Sequence, residues 1–412
     1  MLEFYFKYPR VLSRLRNGAL GTEMDRIAGH LYDLGYKPSS AKIYISRLGR
    51  LSEFLGYNAR STAISQGVID RFMLSLRGGA PRIAARTVIE HARSIVPERF
   101  STPSRRVIPD PDGELLAAYL DHLRHVRGLE PKTCEGILKG ARGILTWLRE
   151  HLPDQPLSAI TGQHVLALIQ HLLSLSSNHY TRSSTTSYTR GFLRFLRWSE
   201  RNSQDLARFV PRIPCWRLAH LPPRLSWQSI RHAIDEIDIS KPSGMRDKAL
   251  MLMLATTGLR NRELRMLELQ DIRWRTSEVI VRRTKGKRDR MVPLMDEAGA
   301  ALADYILHAR PKVASTMVFL SYSPPPRPFK CAASISRIVR SRLEQSGVEL
   351  SGPAGAHLLR HSLATQLVQQ RRPINEVADL LGHRSIDTTA IYVKVALPQL
   401  TGVALPFPGG VS

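Results

Sequence analysis

Cysteine is scarce in this chain. Only Cys134, Cys215 and Cys331 occur in 412 residues, far apart in sequence. An odd, sparse count argues against a disulfide scaffold and for a reducing compartment, and the spacing suits no thiolate metal site. Long apolar runs are also lacking. The longest, residues 249–255, is much too short to span a bilayer. The opening residues mix Lys7, Arg10, Arg14 and Arg16 with short apolar groups, unlike a signal peptide. There is no Walker-type phosphate loop and no clustered Cys/His site. Acid is in short supply as well: 35 Asp and Glu stand against 60 Lys and Arg, a formal net charge of +25. Charge of that size needs a polyanion as partner, and nucleic acid is the commonest. The basic residues are spread over every region, not confined to a tail. These absences predict a cytoplasmic, nucleoid-associated protein with no membrane partner.

What is present is an ordinary globular composition, 43% hydrophobic, broken twice by proline. Pro97, Pro103, Pro109 and Pro111 form one break; Pro211, Pro214, Pro222 and Pro223 form the other. Proline lacks the helix donor and restricts the residue before it, so these clusters read as linkers. Three segments result: residues 1–100, 110–210 and 222–412.

The first two segments resemble each other. Gly35-Tyr36-Lys37-Pro38 parallels Gly128-Leu129-Glu130-Pro131. Each opens a helix with apolar residues at matching spacing, Leu48, Leu51 and Leu55 against Ala141, Ile144 and Leu148. Phe54 then matches Trp147, and Ile64-Ser65-Gln66 parallels Ile160-Thr161-Gly162-Gln163. An internal duplication and two unrelated short helical bundles both fit this pattern. Residues 181–201 read as a helix. Its aromatic residues Tyr188, Phe192, Phe195 and Trp198 fall at core spacing. Arg190, Arg194 and Arg197 fall on a different stripe, suited to DNA phosphates. In the third segment, 279–281 and 291–294 are short apolar runs flanking a basic, glycine-bearing stretch, which predicts a hairpin.

Six polar residues stand out in the third segment. Arg260 lies in Gly258-Leu259-Arg260-Asn261-Arg262-Glu263. Lys285 lies in Thr284-Lys285-Gly286-Lys287. His357 and Arg360 are three apart, so they share one helix face. His383 follows Leu380-Leu381-Gly382, and Tyr392 follows Thr388-Thr389-Ala390-Ile391. Guanidinium suits phosphate because its planar fork binds two oxygens and never deprotonates. Lysine and histidine can move protons, and tyrosine can attack. Taken singly, each has a plainer reading: a helix-end arginine, a solvated turn lysine, a half-buried core tyrosine. Residues 374–385 also outline a DNA-binding helix-turn-helix, with Gly382 as the turn and Ser385 as a cap.

In order and flanking sequence these residues resemble the tyrosine recombinase (phage-type integrase) family, with the Xer-like recombinases among them. The resemblance runs over about 225–396 and extends to 110–205. It implies a mainly α-helical fold with a small antiparallel sheet in the catalytic domain, built as a multi-domain clamp on DNA. Residues 222–412 would be the catalytic domain and 110–210 the helical core-binding domain; residues 1–100 would be an N-terminal helical domain that departs from the plainest family plan, either a duplicate of the core-binding domain or an unrelated bundle. Family likeness assigns Arg260 and Arg360 to the phosphate, and His357 to proton transfer or phosphate contact. It makes Lys285 the general acid, with Lys287 a competitor and DNA contact. It gives His383 a supporting bond to the phosphate, makes Tyr392 the nucleophile, and lets Glu263 orient an arginine.

The implied activity is site-specific recombination of double-stranded DNA through a 3′-phosphotyrosyl intermediate and a Holliday junction. It would need no metal, nucleotide or other cofactor. The assembly would be a homo- or hetero-tetramer of related recombinases, serving a mobile element. Two alternatives remain: strand relaxation of the type IB topoisomerase kind, and a non-catalytic DNA-binding protein.

Overall fold

The structure is a computed structural model. It describes residues 1–56, 63–101, 110–176, 178–214, 223–282, 289–350 and 352–383, together with Thr389 and Tyr392. The chain forms two compact units, one from Met1–Ser104 with His220–Ser412 and the other from Arg105–Ala219. The first unit thus joins the first and third of the segments read from sequence. Each of those two keeps its own apolar core.

The N-terminal part of the first unit carries α1 (Leu2–Tyr5), α2 (Pro9–Asn17), α3 (Met24–Asp33), α4 (Pro38–Leu55), α5 (Gln66–Ser75) and α6 (Gly79–Ile95). The second unit carries α7 (Gly113–Asp121), which runs into a π-helical turn at His122–Val126. It continues with α8 (Pro131–His151), α9 (Gly162–Ser174) and α10 (His179–Trp198).

The two helical sets match in register. Gly35 (φ 77°) and Gly128 (φ 59°) both turn the chain through the left-handed region. Three residues later Pro38 and Pro131 each take the first position of a long helix, where the missing N–H costs nothing. Buried Ala41, Leu48 and Leu51 on α4 correspond to Cys134, Ala141 and Ile144 on α8. Buried Ile64 precedes Ser65, which starts α5, and buried Ile160 precedes Thr161, which starts α9. Ala85, Val88, Ile89 and Ala92 on α6 then correspond to Thr189, Phe192, Leu193 and Leu196 on α10, all buried. In that register Arg86 falls opposite Arg190 and Arg93 opposite Arg197, with Glu90 in the place of Arg194.

One expected core residue is not in the core. Phe192 and Phe195 are buried, but Trp198 is 61% exposed. It ends α10 and lies across the His122 ring at 4.5 Å, leaving its other face to solvent.

The rest of the first unit builds on α11 (Trp227–Asp235), α12 (Pro242–Thr257) and α13 (Asn261–Arg265). Strands β1 (Ile272–Arg273), β2 (Glu278–Val281) and β3 (Arg290–Pro293) follow. They form one antiparallel sheet in the order β1-β2-β3, with Val281 paired to Arg290. Then come α14 (Asp296–Asp304), a two-stranded pair β4 (Leu320–Ser321) and β5 (Arg327–Pro328), α15 (Ala332–Gln345), α16 (Ala356–Gln369) and α17 (Ile374–Leu381). The chain is mainly helical with small antiparallel sheets. Helix α12 packs against α11, α14, α15 and α16, which explains the longest apolar run in the sequence: 249–255 is buried throughout. No helix among the described residues is long and apolar enough to cross a membrane.

Candidate active site

Two glycines prepare the site. Gly258 ends α12 and Gly382 ends α17, each with φ 62°. A left-handed residue stops a helix and turns its last carbonyls outward, and glycine takes that conformation without strain. Those carbonyls hold the two arginines. Arg360, buried on α16, donates to the Gly258 and Leu381 carbonyl oxygens at 2.7 Å each. Arg260, the residue before α13, donates to the Gly382 oxygen at 3.0 Å. Neighbouring carbonyls on one helix end therefore fix two guanidinium groups side by side. Burial and the positive charge of Arg260 push the Arg360 guanidinium down to about 10. Two cations held this close in a partly dry site favour an anion between them.

Glu263 is the counterweight. Its carboxylate accepts from the Arg260 backbone N–H and side chain at 2.9 Å each, and from two nitrogens of Arg290 at 2.9 and 3.1 Å. Burial alone would push the Glu263 carboxyl up. The hydrogen bonds and charge of Arg290, followed by those of Arg260, win, and hold it at about 2. Arg290 also donates to the Leu380 oxygen at 3.3 Å, tying strand β3 to the end of α17.

Tyr392 lies in an apolar pocket of Ala364, Val377 and Leu381 and is 2% exposed. Its hydroxyl lies 2.6 Å from His361 Nδ1. The His361 ring stands tilted against the Tyr392 ring at 5.7 Å, and the His383 ring lies nearly parallel to it at 6.5 Å. His383 Nδ1 is 2.7 Å from the hydroxyl of buried Thr389. Burial raises the Tyr392 phenol above its usual range, while Arg360 and Arg260 pull it back. Burial, then the charges of His357 and Arg360, push His361 down to about 4. Burial, then Arg360 and Arg260, push His383 down to about 4. His357 stands at the exposed rim of α16, and its pKa is lowered by partial enclosure of the ring and by Arg360 and Arg260. His361 and His383 are therefore neutral near neutral pH.

The structure thus brings Arg260, Arg360, His357, His383 and Tyr392 together around the facing ends of α12, α16 and α17. Lys285 and Lys287 lie outside the described residues, in the sequence between β2 and β3. Of the other expected DNA contacts, Arg190 donates to the Val210 and Pro211 oxygens at 3.2 and 3.0 Å, and Arg197 pairs with Asp205 at 3.6 Å. Arg194 is exposed. Two participants were missed from sequence. His361 directly follows Arg360 but is not itself part of the His-x-x-Arg pair, and Arg290 closes the basic stretch before the second apolar run like one more turn residue. An alternation of sides along 290–293 would have pointed Arg290 and Val292 to the same face. Among the described residues, no group of His, Cys, Asp and Glu is arranged to hold a metal.

Known proteins are similar to this chain in sequence and in fold. Residues 224–397 match the phage integrase family. Over its whole length the chain is 61% identical to a Sinorhizobium fredii protein named an integrase/recombinase, y4rF, covering 96% of it. It is 29% identical to the Corynebacterium glutamicum tyrosine recombinase XerD, over 70% of this chain and 96% of that one. A solved lambda integrase (75–356) dimer bound to a core site matches in fold with a TM-score of 0.53 and 19% identity, over 68% of this chain and 94% of that one. The Tn1549 transposon integrase in complex with circular intermediate DNA matches with a TM-score of 0.53 and 15% identity, over 70% and 99%. With its sequence and its fold in agreement, the chain belongs to the tyrosine recombinase (phage integrase) family, whose members recombine DNA at specific sites.

Proposed function

We propose that this protein cleaves and rejoins double-stranded DNA at specific sites through Tyr392, in the service of a mobile element. The observation that carries the reading is the pairing of Arg260 and Arg360 near the Tyr392 phenol, the arginines held by the carbonyls that end α12 and α17 and the tyrosine packed on α16 and α17. A scissile phosphate between the guanidiniums neutralises two adjacent like charges, one buried and one half-buried, and is itself polarised for attack. The Tyr392 oxygen forms a bond to phosphorus as the bond to the 5′-oxygen breaks. The product is a 3′-phosphotyrosine, which conserves the bond energy, so rejoining draws on no nucleotide and no metal. Lys285 protonates the leaving 5′-oxygen, and His357 and His383 bond the phosphate. Exchange of the free 5′-hydroxyls between protomers of a homo- or hetero-tetramer then makes and resolves a Holliday junction.

The helical unit 110–210 grips the DNA as core-binding domain, with Arg194 towards the phosphates. Its register match with α3–α6 supports the same part for residues 1–100.

The test is a nicked suicide duplex carrying the element's ends, incubated with wild type and Tyr392→Phe. Wild type alone should give a covalent band on a denaturing gel, with both proteins shifting the DNA. An adduct of equal yield in Tyr392→Phe would sink the nucleophile assignment. Relaxation of supercoils without joining to a second site would move the activity to the topoisomerase kind.

A further inference from the structure

We propose that His361 is the general base of the cleavage step, taking the proton from the Tyr392 hydroxyl. The proposal rests on Tyr392 being the nucleophile.

Three features carry it. The first is contact: at 2.6 Å the Tyr392 hydroxyl touches Nδ1 of His361, and no other hydrogen bond of that hydroxyl is seen among the described residues. His383, the other imidazole beside the ring, has its Nδ1 turned to Thr389. The second is directionality. A phenol donating to Nδ1 requires that nitrogen to be unprotonated, the tautomer with its hydrogen on Nε2. The site keeps the ring neutral, because burial, then His357 one turn earlier and Arg360 on the same helix, all disfavour a positive charge there. The third is rigidity. His361 sits on α16 directly after Arg360, so one helix positions both the acceptor of the proton and the clamp on the phosphate.

The step balances as follows. An electron pair of the Tyr392 oxygen forms the bond to phosphorus, and the pair of the bond to the 5′-oxygen leaves with that oxygen. The phenolic proton passes to His361 Nδ1, giving an imidazolium, and the 5′-oxygen takes its proton from the general acid. In the empty site the phenol is by far the weaker acid of the pair, so the proton does not move in advance. It moves as the oxygen becomes bonded to phosphorus and strongly acidic. The bound phosphate also cancels the Arg360 charge that helps to keep His361 neutral, so the imidazolium forms in the presence of a counter-charge. Rejoining runs the same path backwards: the imidazolium returns its proton to the departing tyrosine oxygen.

The experiment compares the full chain with His361→Asn and Tyr392→Phe in single-turnover cleavage of the suicide duplex, across pH 6–10. Asparagine keeps a polar group at the Nδ1 position but takes up no proton. His361→Asn should bind DNA as wild type does and cleave about 100-fold more slowly near neutral pH, the usual scale of general-base loss. The deficit should shrink as pH rises towards the range where the phenol ionises unaided. Replacing Tyr392 by a fluorinated, more acidic tyrosine in the His361→Asn background should restore most of the rate at neutral pH.

If His361→Asn cleaves at the wild-type rate, or is slowed equally at every pH and unaffected by the acidic tyrosine, His361 is at most a positioning residue and the proposal is overturned. If Tyr392→Phe still forms the adduct, the nucleophile reading itself has failed. That result is separate, because it appears in a variant that leaves His361 intact.

Discussion

The Tyr392 hydroxyl and His361 Nδ1 stand 2.6 Å apart although 31 residues separate them in sequence. Both are largely buried, so the bond also bears on stability. Removing one partner leaves the other without its mate, and a buried unpaired polar group costs about 1–3 kcal/mol. Tyr392→Phe and His361→Phe should each destabilise the free protein, and the double variant should lose less than the sum. A thermodynamic cycle from denaturant melts should return a coupling of about 1 kcal/mol. A coupling near zero would mean that the two side chains do not meet in solution.

Acid should weaken the site in two stages, and the signs follow from the directions of the shifts. His361 and His383 have folded pKa values of about 4 against an ordinary 6.5. Their neutral forms favour the fold. That contribution is complete above pH 6.5 and is lost as pH falls from 6.5 to 4. Glu263 sits at about 2 against an ordinary 4.5, so its contribution is complete above pH 4.5 and is lost between 4.5 and 2. The Glu263 shift corresponds to about 3 kcal/mol. Thermal melts against pH should show Tm falling from pH 6.5 downwards and more steeply below 4.5. Glu263→Gln should start lower at neutral pH and be flatter below 4.5. An unchanged slope there would remove Glu263 from the account.

Much of this site was legible in the sequence, for a physical reason. Arg260 and His383 each sit beside a glycine that ends an apolar helix, and such local patterns survive in one dimension. Gly258 before Arg260 and Gly382 before His383 announced the two turns whose carbonyls orient the arginines. What could not be read was pairing across the fold. Glu263 shows a local link to Arg260 three residues away, but its second arginine comes from β3, 27 residues on. His361 is hidden by its neighbour: beside Arg360 it looks like part of the same box, and only the return of the chain at Tyr392 gives it a partner. The sequence also marked a break near residue 100 without showing that the parts on either side of the second unit form one compact unit. Trp198 misled because helical spacing reports a face but not where along the helix the neighbours stop.

The register match between the helical sets makes its own prediction. If α3–α6 grip DNA in the way proposed for α7–α10, exposed Arg82 and Arg86 on α6 should touch phosphates. Arg82→Glu with Arg86→Glu should lower the steepness with which affinity falls with salt by about 2. The same change should shorten the protected stretch in a nuclease footprint on a long duplex, while cleavage of a short core duplex stays as in wild type. An unchanged footprint and salt slope would leave residues 1–100 without a DNA contact on this face.

The carbonyl oxygen of Gly258 holds Arg360. Gly258 has φ 62°, and a Cβ there would come within 2.7 Å of Leu381 Cδ2. Gly258→Ala therefore carries two costs: about 1 kcal/mol for placing alanine in the left-handed region, and displacement of α17. The second matters for chemistry, because the Leu381 and Gly382 oxygens at the end of α17 orient Arg360 and Arg260. Gly347 separates the two effects. Its φ is 74°, but a Cβ there meets nothing within 4 Å. Gly347→Ala should cost stability alone and leave cleavage unchanged. Gly258→Ala should lose more stability and slow cleavage at least tenfold, with binding to duplex DNA nearly intact, since a shift of about 1 Å in the clamp is felt far more in the transition state than in the ground state. Equal cleavage by the two alanine variants would show that the carbonyls of α17 do not set the arginine geometry.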